Sequence, residues 1–211
     1  MSFKSYVAPG YEFSQGVLLD KFKDKSVNGG ICLSLTSFYL TAVKDKAGMA
    51  HSAYKAFRSK YGGLVTPDVA YSTPTEEFGL AAHVQKQYSK DFGGGIEQMD
   101  AATAMKFASN STMFLGQNFR YTPEIMPGKI KTALLEHSLI LLAFSCKGGA
   151  HAVGVAVDAQ ENLVVVFDPN YGAAITSIAG REVDEFFDTI IGALITDYTI
   201  STGWASACIS R

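Results

Sequence analysis

Ser138-Leu139-Ile140-Leu141-Leu142-Ala143-Phe144-Ser145, followed by the runs 150–157 and 162–167, is where this chain stops reading as helix and begins to read as sheet. All three runs are apolar, partly β-branched and of strand length, and turn-forming residues separate them. Upstream, the apolar positions recur at helical spacing instead. Ile31, Leu35, Phe38, Tyr39, Ala42 and Val43 fall three and four residues apart, the stripe of a buried helix. A second helix is predicted over 49–61, stopped by Gly62-Gly63. Ser72-Thr73-Pro74-Thr75-Glu76-Glu77 carries a cap candidate, a first-turn proline and two acids, which predicts a helix over 74–89 with Gly93-Gly94-Gly95 beyond it. Shorter helices are predicted over 98–108 and from Pro127 to His137. Downstream of the strands an acid-rich start at Arg181–Glu185 opens another helix, and 195–202 reads as a last strand. Helices first and a mostly antiparallel sheet after them make an α+β chain.

Composition bounds the function classes. The 211 residues are 47% hydrophobic and 18% charged, which suits one compact domain and excludes a disordered chain. Eighteen basic against 20 acidic residues give a net charge of -2, without the basic excess expected of a nucleic-acid binder. Three cysteines, Cys32, Cys146 and Cys208, are too few and odd in number for a disulfide framework. No apolar run approaches the roughly 18 to 20 residues of a membrane span. The start, Met1-Ser2-Phe3-Lys4-Ser5, lacks the pattern of a secretory signal.

Cys32 is the most informative residue, because it follows Asn28-Gly29-Gly30-Ile31 and opens the first apolar helix. The positive end of a helix dipole and unpaired backbone N–H groups favour thiolate over thiol, and glycines just before it permit close approach of a substrate backbone. A cysteine beside an apolar stripe also reads as a small buried hydrophobe, so the reading turns on finding a base. His151 stands apart from the other histidines, in an extended run after Gly148-Gly149-Ala150, and the next extended run ends in Asp168-Pro169-Asn170. If the two runs form a hairpin turning at Asp158–Glu161, with 158 opposite 161, then His151 lies opposite Asp168. Directly opposed residues have Cβ atoms roughly 4.5 to 5.5 Å apart on one face, within reach of an imidazole–carboxylate hydrogen bond. Ala152, Gly154 and Ala156 then share one face, and His151, Val153, Val155 and Val157 the other. A Cys, a His and an Asp in this order suit nucleophile, general base and orienting acid.

Three blocks, Gly29-Gly30-Ile31-Cys32-Leu33-Ser34-Leu35-Thr36, Gly149-Ala150-His151-Ala152-Val153 and Phe167-Asp168-Pro169-Asn170-Tyr171-Gly172, resemble the YopT/AvrPphB family of papain-like cysteine proteases, virulence effectors that bacteria deliver into host cells. The resemblance implies a papain-like fold, with a helical lobe carrying Cys32 and a sheet lobe carrying His151 and Asp168. It further implies an N-terminal extension over 1–25 ahead of a catalytic domain over 26–211. The implied activity is hydrolysis of a peptide bond in a specific protein of the target cell, through a thioester acyl-enzyme, with no metal or organic cofactor. The implied partners are that protein substrate and a secretion chaperone, and the implied destination is the target-cell cytosol, reached without a signal peptide. In papain-like enzymes a Gln or Asn ahead of the nucleophile completes the oxyanion hole. Asn28 is the nearest amide, Gln15 is the other candidate, and Asn28 reads equally as a turn residue before two glycines. The same triad suits a glutamine deamidase or a cell-wall peptide amidase, and a binding module that has lost catalysis is the alternative from another class.

Other signals carry less. Asp91-Phe92-Gly93 matches a kinase tripeptide by letters, with no accompanying nucleotide loop. His51, His83 and His137 lie at no metal-ligand spacing, and Trp204 reads as a core or cleft-wall aromatic.

Overall fold

The computed structural model describes residues 1–22, 30–61, 75–92, 118–121, 128, 130–132, 134, 138–146, 149–178, 182–200 and 202–207. A short 3-10 turn, Phe3–Tyr6, leads into strand β1 (Val7–Glu12) and helix α1 (Gln15–Phe22). Helices α2 (Cys32–Asp45), α3 (Ala50–Tyr61) and α4 (Glu76–Phe92) follow, then strands β2 (Asn118–Tyr121), β3 (Leu139–Cys146), β4 (Gly149–Asp158), β5 (Leu163–Asp168) and β6 (Gly172–Ser177). Helix α5 (Glu182–Tyr198) and strand β7 (Thr202–Ala207) complete the described elements. The strands form one sheet in the order β1-β6-β5-β4-β3-β7-β2, with every neighbouring pair antiparallel. This is the α+β class expected, with β3, β4 and β5 close to their predicted runs. The predicted helix over 98–108 falls outside the described residues; of the one predicted from Pro127, residues 128, 130–132 and 134 are helical.

Alternation along the strands divides the interior into two cores. Leu139, Leu141, Ala152, Ala156, Val165 and Phe167 face α2, α3 and α4, whereas Ile140, Leu142, Phe144, Val153, Val155, Val164 and Val166 face α5. On the first face, Tyr39, Tyr54, Phe57 and Phe167 pack ring against ring with centroids 5.1 to 6.5 Å apart. Residues within the expected N-terminal extension contribute here as well. β1 forms the sheet edge against β6, Phe13 and Leu18 lie in the first core, and Phe3 in the second.

Helix α2 runs along β4 in step with it. Cys32 lies beside Ala150, the Thr36 hydroxyl donates to the Ala152 carbonyl at 3.1 Å, and Leu40 and Tyr39 lie over Gly154. Four helical residues rise about 6 Å and two strand residues about 6.6 Å, so the two repeats stay matched. Gly154 permits the approach, because a Cβ there would meet Leu40, Thr36 and Tyr39 at 3.3 Å. The matched steps deliver the first residue of α2 to the start of β4.

Two expectations are corrected. The β4–β5 hairpin pairs Asp158 with Leu163 rather than with Glu161, so four residues, 159–162, make the turn. Asp158 itself explains the longer loop: its carboxylate accepts the backbone N–H groups of Gln160 and Glu161 at 3.2 and 3.0 Å, an Asx-type turn. The predicted last strand over 195–202 is also displaced. Ile195 to Tyr198 are the final turn of α5, and the strand is Thr202–Ala207.

Candidate active site

The register correction moves His151 relative to Asp168 by two residues. An even shift keeps both side chains on one face, so they meet as diagonal rather than direct neighbours. His151 Nε2 lies 2.9 Å from Asp168 Oδ1, and both side chains are buried. The second ring nitrogen remains for Cys32, whose Sγ lies 4.0 Å from the carbonyl of Ala150, the residue before His151, and whose charge acts on the imidazole. The structure therefore brings together Cys32, His151 and Asp168, the three residues singled out in the sequence. Asn28 lies outside the described residues.

Asp168 is fixed from several sides. Pro169 ends β5, and the Asp168 carbonyl accepts the Tyr171 N–H at 3.1 Å across the turn that leads into β6. Asp168 Oδ1 also accepts the Asn170 backbone N–H at 2.8 Å, and Oδ2 accepts the Tyr198 hydroxyl at 2.8 Å. The imidazole is bracketed by rings: Tyr198 stacks on it with centroids 4.3 Å apart and planes at 21°, and Phe144 meets it at 5.6 Å and 61°. Burial opposes a charge on His151, but the Asp168 carboxylate and Cys32 outweigh it and push the imidazole up to about 10.

That shift has a signed consequence for stability. A group with its folded pKa above the ordinary value of 6.5 stabilises fully below that value and loses the contribution as the pH rises through about 10. Urea unfolding of the wild type is therefore expected to show a free energy falling between pH 6.5 and 10 more steeply than that of His151→Gln. Equal slopes for the two chains would remove the imidazolium from the account.

Helix α2 begins without a capping side chain of its own, since Ile31 occupies the cap position. Side chains from elsewhere take part of that work. Gln15 Oε1 accepts the Ile31 N–H at 2.6 Å, and Gln85 Oε1, from α4, accepts the Ser34 N–H at 3.1 Å. Gln15 is held in turn by Asn170, to which its Nε2 donates at 2.8 Å, and by its own N–H on the Pro169 carbonyl at 2.8 Å. Tyr198, Gln85 and the side-chain role of Asn170 were not found by reading the sequence. No motif marks a tyrosine at a helix C-terminus, and Asn170 carried no role beyond its place in the block that contains Asp168.

Comparison with known proteins adds to this geometry. The peptidase C58 family, described as Yersinia/Haemophilus virulence surface antigen, matches residues 128–204, the part that carries His151 and Asp168. No curated protein matches. Among solved structures, Pseudomonas avirulence protein AvrPphB is similar in fold, with a TM-score of 0.58 at 11% identity over 99% of this chain and 100% of that one. The likeness bears out the papain-like α+β fold. The family match bears out the resemblance read from the sequence and with it the class of enzyme, a cysteine protease of the virulence-effector kind. Among the described residues, no helix is long and apolar enough to cross a membrane.

Proposed function

We propose that this protease cleaves a specific protein of the target cell, with Cys32 as nucleophile, His151 as general base and then acid, and Asp168 as the group that orients the ring. The observation that carries this reading is the buried 2.9 Å contact between His151 and Asp168, with Cys32 Sγ beside the carbonyl of Ala150, the residue before His151. Cys32 Sγ adds to the scissile carbonyl carbon, and the displaced electron pair moves onto oxygen. Collapse breaks the C–N bond while His151 gives its proton to the leaving amine, which leaves a thioester on Cys32. Water, deprotonated by His151, then attacks the thioester and expels the thiolate.

The oxyanion needs donors. Gln15 and Gln85 occupy the N–H groups of Ile31 and Ser34, which supports the Cys32 N–H between them as the backbone donor. We assign the side-chain donor to Asn28. No metal or organic cofactor enters this reading. Delivery into the target-cell cytosol, with a secretion chaperone, is part of the same proposal.

N-terminal peptide profiling of host-cell lysate treated with the wild type, with Cys32→Ala as the blank, tests it. Discrete new N-termini are expected with the wild type alone. An intact chain with a glutamine converted to glutamate would assign the triad to a deamidase instead. Identical profiles from the two chains would make the protein a binding module.

A further inference from the structure

Behind the site, a line of hydrogen bonds connects the orienting carboxylate to the helix that carries the nucleophile. The Tyr198 hydroxyl donates to Asp168 Oδ2 at 2.8 Å, and its oxygen accepts from Asn170 Nδ2 at 2.9 Å. Asn170 Oδ1 accepts from Gln15 Nε2 at 2.8 Å, and Gln15 Oε1 accepts the N–H of Ile31, the residue before Cys32, at 2.6 Å. One end is a carboxylate, which only accepts when ionised, and the other is a backbone N–H, which only donates. Between those ends both amides have a single workable orientation, because flipping either one sets donor against donor and acceptor against acceptor. Chains polarised in one direction also strengthen their members.

Tyr198 has a second hold on the site. Its ring lies against the imidazole, so one side chain limits both the rotation of His151 and the position of the carboxylate that orients it. The tyrosine is the last residue of α5, and Thr199, in the left-handed region at φ 49°, turns the chain away immediately after it. Ile200, buried in the second core, then donates its N–H to the Ile195 carbonyl at 3.2 Å and closes the helix end.

We propose that Tyr198, through Asn170 and Gln15, is a positioning residue that keeps the His151–Asp168 pair on the sheet in register with Cys32 on α2. This rests on the reading of those three residues as base, orienting acid and nucleophile. Burial, and after it the Asp168 carboxylate, keeps the Tyr198 phenol protonated far above its ordinary range, so it remains a donor. Without that hydroxyl, a wholly buried carboxylate oxygen loses its donor, ionised Asp168 becomes costlier, and support for an imidazolium beside Cys32 weakens.

The test is the rate at which iodoacetamide alkylates Cys32 at neutral pH, followed by mass spectrometry on the full chain. Cys146, half-buried at the end of β3, serves as a reporter of loosening in the same molecule. Tyr198→Phe retains the stacked ring and removes only the hydroxyl; Gln15→Met interrupts the far end of the line. Each is expected to slow Cys32 on the order of tenfold with Cys146 unchanged. In proton NMR, the low-field imidazole N–H of the His151–Asp168 bond is expected to broaden in Tyr198→Phe, a change that a general packing role would not give. Unchanged Cys32 rates and an intact resonance in both variants, with His151→Ala still slowing Cys32, would overturn the positioning role alone. Should His151→Ala also leave Cys32 unchanged, the catalytic reading fails and takes this inference with it. Faster alkylation of Cys146 in Tyr198→Phe would reduce Tyr198 to a packing residue.

Discussion

Asp168→Asn is expected to lower turnover by roughly a thousand- to ten-thousandfold while leaving the chain folded. The geometry explains why shape and charge separate at this position. The carboxylate receives three donors: His151 Nε2 and the Asn170 N–H on Oδ1, and the Tyr198 hydroxyl on Oδ2. An asparagine can keep its carbonyl toward the first two and turn its amide toward Tyr198, whose oxygen can accept as well as donate. What it cannot supply is the negative charge that holds His151 protonated beside Cys32. The amide should therefore pack where the acid packed and fail where the acid works. Asp168→Ala has no such compensation, because three donors lose their acceptor at a fully buried position, and it is expected to cost about 3 to 5 kcal/mol of stability. Urea unfolding compares the two chains, and turnover on the peptide found by N-terminal profiling measures the catalytic loss. An Asp168→Asn chain retaining wild-type turnover would remove the carboxylate from the proposed mechanism.

The same site shows which parts of the structure the sequence makes legible. Helix α2 could be read because its apolar spacing is strong, and β3, β4 and β5 because both of their faces are buried and their runs are continuous. The pairing of His151 with Asp168 survived an error in register because the error was even. A one-residue slip would have separated them onto opposite faces, and no feature of Asp158-Ala159-Gln160-Glu161 excluded that. The end of α5 was misread since Ile195, Thr196, Tyr198, Thr199 and Ile200 have the composition of a strand, and the tertiary contacts of Tyr198 override that preference. β1 was invisible for a different reason. It is a short edge strand with Pro9 and Gly10 inside it, held by backbone pairing with β6 and by side chains of α3 more than 40 residues away. Hydrogen-bond partners so distant in sequence leave no local pattern to read.

Gly172→Ala is expected to destabilise the protein by about 3 to 5 kcal/mol, a large loss for adding one methyl group. Gly172 opens β6 at φ 122°, opposite Glu12 in β1, and a Cβ there would lie 2.1 Å from the Tyr11 carbonyl oxygen, 2.8 Å from Glu12 Cα and 3.0 Å from Phe13 N. All three obstacles are backbone, and the surroundings hold that backbone in place. The Tyr54 hydroxyl donates to the Tyr11 carbonyl at 2.6 Å, Arg58 Nε to the Glu12 carbonyl at 2.9 Å, and the Phe13 N–H to the Tyr171 carbonyl at 3.1 Å. An alanine must therefore push β1 off the sheet edge, and the displacement leads straight to Gln15, whose N–H bonds the Pro169 carbonyl in the turn after Asp168. Activity should fall with stability for that reason. Gly10→Ala separates the two contributions to the cost. Gly10 also has a positive φ, 80°, but nothing lies within 4 Å of its would-be Cβ, so its substitution should cost only the conformational strain, about 1 to 2 kcal/mol. Urea unfolding of both variants measures the difference. Equal losses would mean that β1 yields freely at Gly172 and that the edge strand does not brace the turn carrying Asp168.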